Sequence, residues 1–382
     1  MGKFILNFIS QIVSLIPTTN IILFQSSPDY ADNAYAMFKY LWGNNNGKKW
    51  RYVWVIVDWD RKNDIAAEMQ RENVKAKLVK HKSFSGIWAF IRARYVFVSH
   101  GLYDYIKLNQ HNDKVINLWH GMPLKRIGAG DKSKPGGSQP CSTNYNYVIA
   151  SSKLYQGFMA ESFAAPLNQV IITGQPRCDL MFEPTEWFKT KGIDKSKYTR
   201  IGIWMPTFRK SIRGEVRVDG KYNDKGVSFL NESDLDILDM ALKETNTLLL
   251  LKIHPMDALQ NAEFKPYTNI IVIRPRESTM QLYPLLGACD FLLTDYSSVF
   301  IDYQILHRPM GFVMNDVEEY KESRGFYIDN LANSLPGPIL SSVDQIVEFV
   351  KNPYVVENEV NYNDFFDNKS SERICKTLNI LQ

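Results

Sequence analysis

Two histidines stand at the ends of apolar runs that read as strands. His120 follows the run 115–119, within Trp119-His120-Gly121-Met122-Pro123-Leu124-Lys125-Arg126-Ile127-Gly128. His254 closes the run 247–254, within Lys252-Ile253-His254-Pro255. An imidazole at a strand's carboxyl end titrates near neutral pH and can take a proton as a general base. Gly121 allows a sharp turn or a close approach of backbone to ligand, and Lys125 and Arg126 offer charge to a phosphate. Taken alone, His120 reads slightly better as a half-buried histidine bonded to a neighbouring carbonyl, and His254 more often as a structural histidine before a turn proline. Two histidines at equivalent strand ends favour chemistry for both.

Three further polar segments follow predicted strands. Thr294-Asp295-Tyr296-Ser297-Ser298 leads into a predicted helix, where serine hydroxyls and unpaired N–H groups make either an anion site or a simple N-cap. Pro206-Thr207-Phe208-Arg209-Lys210 suits a diphosphate or is a solvated basic loop. Thr173-Gly174-Gln175-Pro176-Arg177-Cys178-Asp179 closes the first half in the same way. Their shared position after strands points to a phosphate-rich ligand. The sequence has no Walker loop and no G-x-G-x-x-G, which disfavours ordinary ATP and NAD sites. Asp58-Trp59-Asp60 has a D-x-D form but no accompanying carboxylates, and it reads as a surface turn. No metal and no cofactor is expected.

The elements that must position these residues follow an alternating pattern. Apolar runs at 20–25, 52–58, 76–80, 95–99, 115–119, 147–151 and 170–173 predict buried parallel strands, with a helix over 31–41. The second half repeats this at 200–206, 247–254, 270–274 and 291–294, with helices over 235–244 and 279–286. The charged stretch 183–198 reads as the interdomain boundary. Helices are expected at 342–351 and 370–381. Ligands of doubly wound sheets bind beyond the carboxyl ends of the strands, so two such domains in tandem would face a shared cleft.

At 382 residues, two domains are expected. A net charge of +4 lacks the dense basic stripe of a nucleic-acid binder. Cys141, Cys178, Cys289 and Cys375 are scattered, which fits a reducing compartment and excludes a C-x-x-C zinc site. Cys178 and Cys289 read as small packing residues. Phe4, Phe8, Ile12 and Ile16 recur at helical spacing, giving an N-terminal amphipathic helix that lies on a membrane surface or docks on the first domain.

In this order the motifs resemble the CDP-glycerol:poly(glycerophosphate) glycerophosphotransferase family of teichoic-acid and capsule synthesis. The family's W-H-G-x-P-L-K-x-I-G, T-G-x-P-R-x-D, P-T-[WF]-R, K-x-H-P and T-D-Y-S-S-x-x-x-D-Y are all present, the last running through Asp302 and Tyr303. The segment 26–34 also resembles the family's S-x-x-Y-x-D-N, with Asp32 and Asn33 as acceptor-side candidates. Met122 stands where threonine is usual. The resemblance implies an α/β, GT-B-like fold: an N-terminal helix (1–19), a Rossmann-like acceptor domain (20–185), a Rossmann-like CDP-donor domain (195–340) and a C-terminal helical tail (341–382). It implies His120 as the base and His254 on the donor phosphates. Substrate contacts are implied for Gly121, Lys125, Arg126, Arg177, Thr207, Arg209, Lys252, Asp295, Ser297, Ser298 and Asp302. The implied partners are CDP-glycerol or CDP-ribitol and a lipid-linked, oligosaccharide or polyol-phosphate acceptor, with no nucleic acid. The implied location is cytoplasmic, on the inner face of the membrane. The competing readings are a GT-B glycosyltransferase or epimerase on a nucleotide sugar, and a non-catalytic scaffold. The W-H-G and D-Y-S-S set, with no evident carboxylate pair, argues against the first, and the two histidines argue against the second.

Overall fold

A computed structural model describes residues 16–45, 50–104, 114–132, 138–207, 227–254, 257, 259, 262–274, 282–315, 326–328 and 331–381. Residues 1–15 of the expected N-terminal helix (1–19), and Arg209, lie outside the described residues; at the end of that range Thr19 stands in a strand.

The chain divides into two compact units. The first holds Met1–Met122, Ile127–Leu180 and Asp367–Gln382; the second holds Pro123–Arg126 and Met181–Phe366. The change at residue 181 falls close to the expected boundary. The expected separate tail from 341 is instead divided. Helix Val343–Lys351 packs in the second unit, while helix Ser370–Leu378 belongs to the first.

The first unit carries a seven-stranded sheet in the order β3-β2-β1-β4-β5-β6-β7. Its strands are β1 (Thr19–Gln25), β2 (Arg51–Ile56), β3 (Lys77–Lys80), β4 (Ala93–Val98), β5 (Lys114–Asn117), β6 (Tyr147–Ala150) and β7 (Val170–Ile172). Every pairing is parallel. Near-continuous apolar strands suit a sheet covered on both faces, and five of the six residues of β2 are buried. Register places Phe24 between Trp54 and Phe97, with ring centroids 5.5 and 5.7 Å away. All three side chains are fully buried. This aromatic row fixes the alignment of β2, β1 and β4, because a one-residue slip would turn the rings to the opposite face.

The second unit carries a six-stranded parallel sheet in the order β10-β9-β8-β11-β12-β13. Its strands are β8 (Arg200–Met205), β9 (Thr247–Lys252), β10 (Ile270–Ile273), β11 (Phe291–Thr294), β12 (Met310–Val313) and β13 (Ile339–Leu340). The last two carry no predicted counterpart. Helix Glu232–Glu244 starts in a full capping box: Asn231 accepts from Ser233 and Asp234, and the Asp234 carboxylate accepts the Asn231 N–H. Leu235, Leu238 and Leu242 then pack into the core beneath the sheet. In each sheet the strand order reverses beside its first strand, between β1 and β4 and between β8 and β11. Such reversal points open a crevice beyond the strands' carboxyl ends.

Among the described residues, no helix is long and apolar enough to cross a membrane.

Candidate active site

In the first unit, the segments after β1, β4, β5 and β7 meet at the reversal point. The segment after β1 is held in an unusual path. Tyr30 and Asp32 both adopt left-handed backbone, φ 56° and 62°, a conformation that costs free energy in L-residues and persists only when its surroundings impose it. Ser26 imposes part of it, donating its hydroxyl to the Pro28 carbonyl and accepting the Ala31 N–H. Tyr30 and Tyr35 both donate to the Glu72 carboxylate, at 2.8 and 2.6 Å.

This path delivers Asp32 and Asn33 to the histidine segment. The Asn33 amide is fully buried and donates to the carbonyls of Leu118 and Trp119 at 3.1 and 2.9 Å. Its Oδ1 accepts the Arg177 backbone N–H. The Arg177 guanidinium donates to Asp32 and to the His120 carbonyl, both at 2.8 Å. The ion pair is buried, with side-chain exposures of 7% and 13%. Trp119 is held left-handed at φ 49°, and Gly121 takes φ 140°. Asn33 and Arg177 thereby hold the backbone on both sides of His120.

His120 Nδ1 lies 3.3 Å from the Ser99 carbonyl. A carbonyl only accepts, so Nδ1 carries the proton in the neutral ring and Nε2 keeps its lone pair. The ring stacks on His100 with centroids 4.2 Å apart and planes 10° apart. It also lies against Trp119 at 4.0 Å. Crowding by surrounding protein and then the nearby His100 lower its pKa to about 4, against an upward pull from Asp32 and the Ser99 carbonyl. The residue still keeps an open side to solvent. His100 is absent from the sequence-derived site. It had the same signal as His120, a histidine directly after an apolar strand, but no motif surrounds it.

In the second unit, Thr207 follows β8 and Asp295 follows β11, the two strands at the reversal point. The Asp295 carboxylate accepts the Thr207 N–H at 3.0 Å and its hydroxyl at 2.9 Å. Asp295 is 1% exposed, so it fixes the loop rather than meeting a ligand. Ser297 and Ser298 are half-buried just beyond, and the Ser297 hydroxyl accepts the Val299 N–H at 3.4 Å. The helix that follows has only five residues, Val299–Tyr303, so its dipole is small and the hydroxyls matter more. Asp302 is fully buried and accepts from the Tyr283 hydroxyl at 2.6 Å. Its expected substrate contact is corrected to a core hydrogen bond.

Lys252 ends β9, beside β8, and His254 follows two residues later; both are half-buried. Burial lowers the Lys252 pKa, so an anion beside it would favour its charged form. The His254 carbonyl accepts the Asp257 N–H, turning the chain after the strand. Lys125 bridges to Phe326 through the backbone, and the Arg126 guanidinium lies 5.1 Å from the Tyr327 ring. The D-x-D segment is a surface turn, with the Asp58 carboxylate accepting the Asp60 N–H. Cys178 and Cys289 are fully buried. Among the described residues, no three metal-ligating side chains converge.

The family model of CDP-Glycerol:Poly(glycerophosphate) glycerophosphotransferase matches residues 7–379. The chain is 26% identical over 399 residues to the teichoic acid glycerol-phosphate transferase of Staphylococcus aureus, covering 96% of this chain and 95% of that protein. It is 31% identical over 283 residues to the teichoic acid poly(ribitol-phosphate) polymerase of Bacillus spizizenii, covering 70% of this chain but only 43% of that longer protein. Among solved structures, the wall teichoic acid polymerase TagF superposes with a TM-score of 0.73 at 23% identity, over 95% of this chain and 89% of that one. A UDP-GlcNAc 2-epimerase from Neisseria meningitidis superposes less closely, at a TM-score of 0.52 and 13% identity, over 95% and 99% of the two chains.

Proposed function

We propose that the chain, which belongs to the CDP-glycerol:poly(glycerophosphate) glycerophosphotransferase family, moves glycerol phosphate from CDP-glycerol to a hydroxyl of a lipid-linked glycan or polyol-phosphate acceptor. The product belongs to teichoic-acid-like or capsule polymer synthesis. The observation that carries this reading is His120. Its Nδ1 is committed to the Ser99 carbonyl, Arg177 holds its carbonyl and Asn33 that of Trp119 before it, and its Nε2 is the base-competent atom.

In the reaction, the acceptor hydroxyl attacks the phosphorus that bears glycerol. His120 Nε2 takes the hydroxyl proton as the new P–O bond forms. The P–O bond to the cytidine phosphate breaks, and CMP leaves with the electron pair. Phosphoryl transfer depends chiefly on positioning and charge stabilisation. In the second unit, Ser297, Ser298, Thr207, Lys252 and His254 are assigned to the donor's diphosphate, together with Arg209. Gly121, Lys125 and Arg126 are assigned to the same substrates from the histidine segment. Asp32, 13% exposed as a side chain, is assigned to the acceptor side through the charge it places near His120. The protein is placed inside the cell, where a cytidine nucleotide is met.

CDP-ribitol is the alternative donor, supported by the similarity to the Bacillus spizizenii ribitol-phosphate polymerase. Incubation with each CDP-polyol and a panel of lipid-linked acceptors separates the two by product mass. Phosphorus NMR then reads the chemistry: CMP and a new phosphodiester are expected. Release of CDP or UDP without a phosphodiester would identify a glycosyl transfer and overturn the proposal.

A further inference from the structure

The turn that delivers Asp32 and Asn33 to the His120 segment leans on Glu72, the residue that ends helix Lys62–Arg71. Both oxygens of its carboxylate are engaged on that side. Oε2 accepts the Tyr30 hydroxyl at 2.8 Å and Oε1 accepts the Tyr35 hydroxyl at 2.6 Å. Tyr30 lies within the turn, and Tyr35 lies in helix Asp32–Gly43 that follows it. Both tyrosines are buried, and their rings meet edge to face with centroids 5.0 Å apart. The Tyr30 ring also meets Trp54 of β2 at 5.2 Å. Burial and then the Glu72 charge push the Tyr30 phenol far above its ordinary pKa, so this hydroxyl stays a donor.

What the clamp fixes is an unfavourable backbone. Tyr30 and Asp32 are left-handed and flank Ala31, which is extended at φ −148°. Such conformations persist only when their surroundings impose them. Ser26 and Asp29 hold the start of the turn: Ser26 accepts the Ala31 N–H, and the Asp29 carboxylate accepts the Val57 and Asp58 N–H groups beyond β2. Glu72 holds residues on either side of Asp32. From there the path to the histidine is short. Asp32 accepts from Arg177, which donates to the His120 carbonyl, and Asn33 donates to the Leu118 and Trp119 carbonyls. A shift at Asp32 therefore reaches the backbone on both sides of His120. A carboxylate suits the position because it accepts two hydroxyls at once.

We propose that Glu72 is a positioning residue for the transfer reaction, setting the presentation of His120 through Tyr30, Tyr35 and the turn they bracket, a role that rests on His120 being the base. The experiment compares Glu72→Ala, Glu72→Gln and the double variant Tyr30→Phe/Tyr35→Phe, with each rate referred to the folded fraction. CMP release from the CDP-polyol gives kcat and KM. NMR of the His120 imidazole, assigned by its loss in His120→Asn, reports the ring's surroundings without substrate. Glu72→Ala is expected to lower kcat about tenfold or more, because catalysis is sensitive to small displacements. KM for the donor should stay near its wild-type value, and the His120 signal should shift. Glutamine accepts one phenol and offers its amide to the other, so Glu72→Gln should recover most of the kcat and the wild-type signal. Combining Glu72→Ala with both phenylalanines should not add the losses, since both changes break the same bonds. If Glu72→Ala fails to fold, the phenylalanine pair, which keeps both rings, carries the test. Wild-type kcat and an unmoved His120 signal in the folded variants would overturn the proposal, and so would a loss of stability alone. A wild type that releases no CMP would sink the function assigned above. A His120 signal moved by alanine and restored by glutamine would even then support Glu72 as the residue that sets the ring.

Discussion

The side-chain carbonyl of Asn33 accepts the backbone N–H of Arg177 at 3.0 Å, across 144 residues of sequence. The same side chain's amide donates to two successive carbonyls, of Leu118 and Trp119. One buried group therefore ties the segment after β1 to the segments after β5 and β7. Replacing Asn33 by Asp keeps its shape but turns the donor into an acceptor facing two carbonyl oxygens. Asn33→Asp is expected to lower stability by about 3 kcal/mol, the upper range for a buried polar group left unsatisfied. Urea unfolding measures this directly. A variant as stable as the wild type would show that the pivot is dispensable.

His120 gives two expectations. His120→Ala should lower turnover by at least about 10²-fold, the low end for loss of a general base, while the fold is retained. The second concerns pH. The base works only when neutral, and its pKa in the folded protein is lowered to about 4. Activity should therefore persist as pH falls through 6.5, the ordinary histidine value, and be lost near pH 4. The linkage has the matching sign. Between pH 4 and 6.5 the unfolded chain holds this proton and the folded chain does not, so His120's contribution makes stability rise with pH across that window. An acid limb of kcat/KM near pH 6.5 would contradict the assignment.

The strand pattern and motif order were legible because parallel strands buried on both faces leave continuous apolar runs, and polar residues after them stand out. The strands β12 and β13 were not: β12 follows Pro309 directly and is interrupted by Gly311, and β13 has only two residues. Roles within a motif were less legible still. Asp295, Asp302, Asn33 and Arg177 are polar residues beside strand ends, the feature that also marks ligand contacts. Whether a carboxylate faces solvent or a neighbouring hydroxyl is decided by packing distant in sequence. Tyr283 for Asp302 and Thr207 for Asp295 are examples. The fate of the C-terminal segment was likewise hidden, because its partner Asp179 lies nearly two hundred residues earlier.

His100 should act by holding the His120 ring. β4 and β5 are neighbouring parallel strands, and each presents one of the stacked rings. His100→Phe keeps a flat platform, and His100→Ala removes it. The alanine variant is expected to lose about tenfold or more in kcat with little change in KM, in keeping with the sensitivity of catalysis to misplaced groups. The phenylalanine variant should recover most of that loss. It should also raise the His120 pKa, because His100 contributes to its depression. NMR titration of the His120 imidazole in the absence of substrate checks the shift, and an unmoved titration would remove His100 from the site.

The double variant Ser297→Ala/Ser298→Ala tests the donor assignment. Hydrogen bonds to a charged group contribute about 1.5–3 kcal/mol each, and the diphosphate is present before and during reaction. Loss of both hydroxyls should raise the KM for the CDP-polyol by about tenfold or more. The KM for acceptor should stay near its wild-type value. An effect confined to the acceptor would exchange the roles assigned to these residues.

The last prediction concerns the junction between the T-G-x-P-R-x-D segment and the C-terminal helix. The Asp179 carboxylate accepts the N–H groups of Ser370 and Ser371, at 2.9 and 2.8 Å, in the first turn of helix Ser370–Leu378. An acid from elsewhere in the chain thus does the work of a cap, on donors that the helix cannot satisfy itself. Gly174 permits the approach. It takes φ +77°, and a Cβ there would lie 2.6 Å from the Ser370 hydroxyl oxygen. Arg373 in turn donates to the Thr173 carbonyl at 3.0 Å. Asp179→Ala should cost about 1–2 kcal/mol, the range for a lost cap. Gly174→Ala should cost at least as much, through left-handed backbone and the displaced serine. The same short segment carries Arg177, which grips the His120 carbonyl, so loosening the helix should also lower turnover. Deuterium exchange in Asp179→Ala is expected to rise in residues 370–378 and in residues 118–121, with little change in the second unit. Faster exchange confined to the C-terminal helix, with turnover unchanged, would show that the cap is structural and has no bearing on His120.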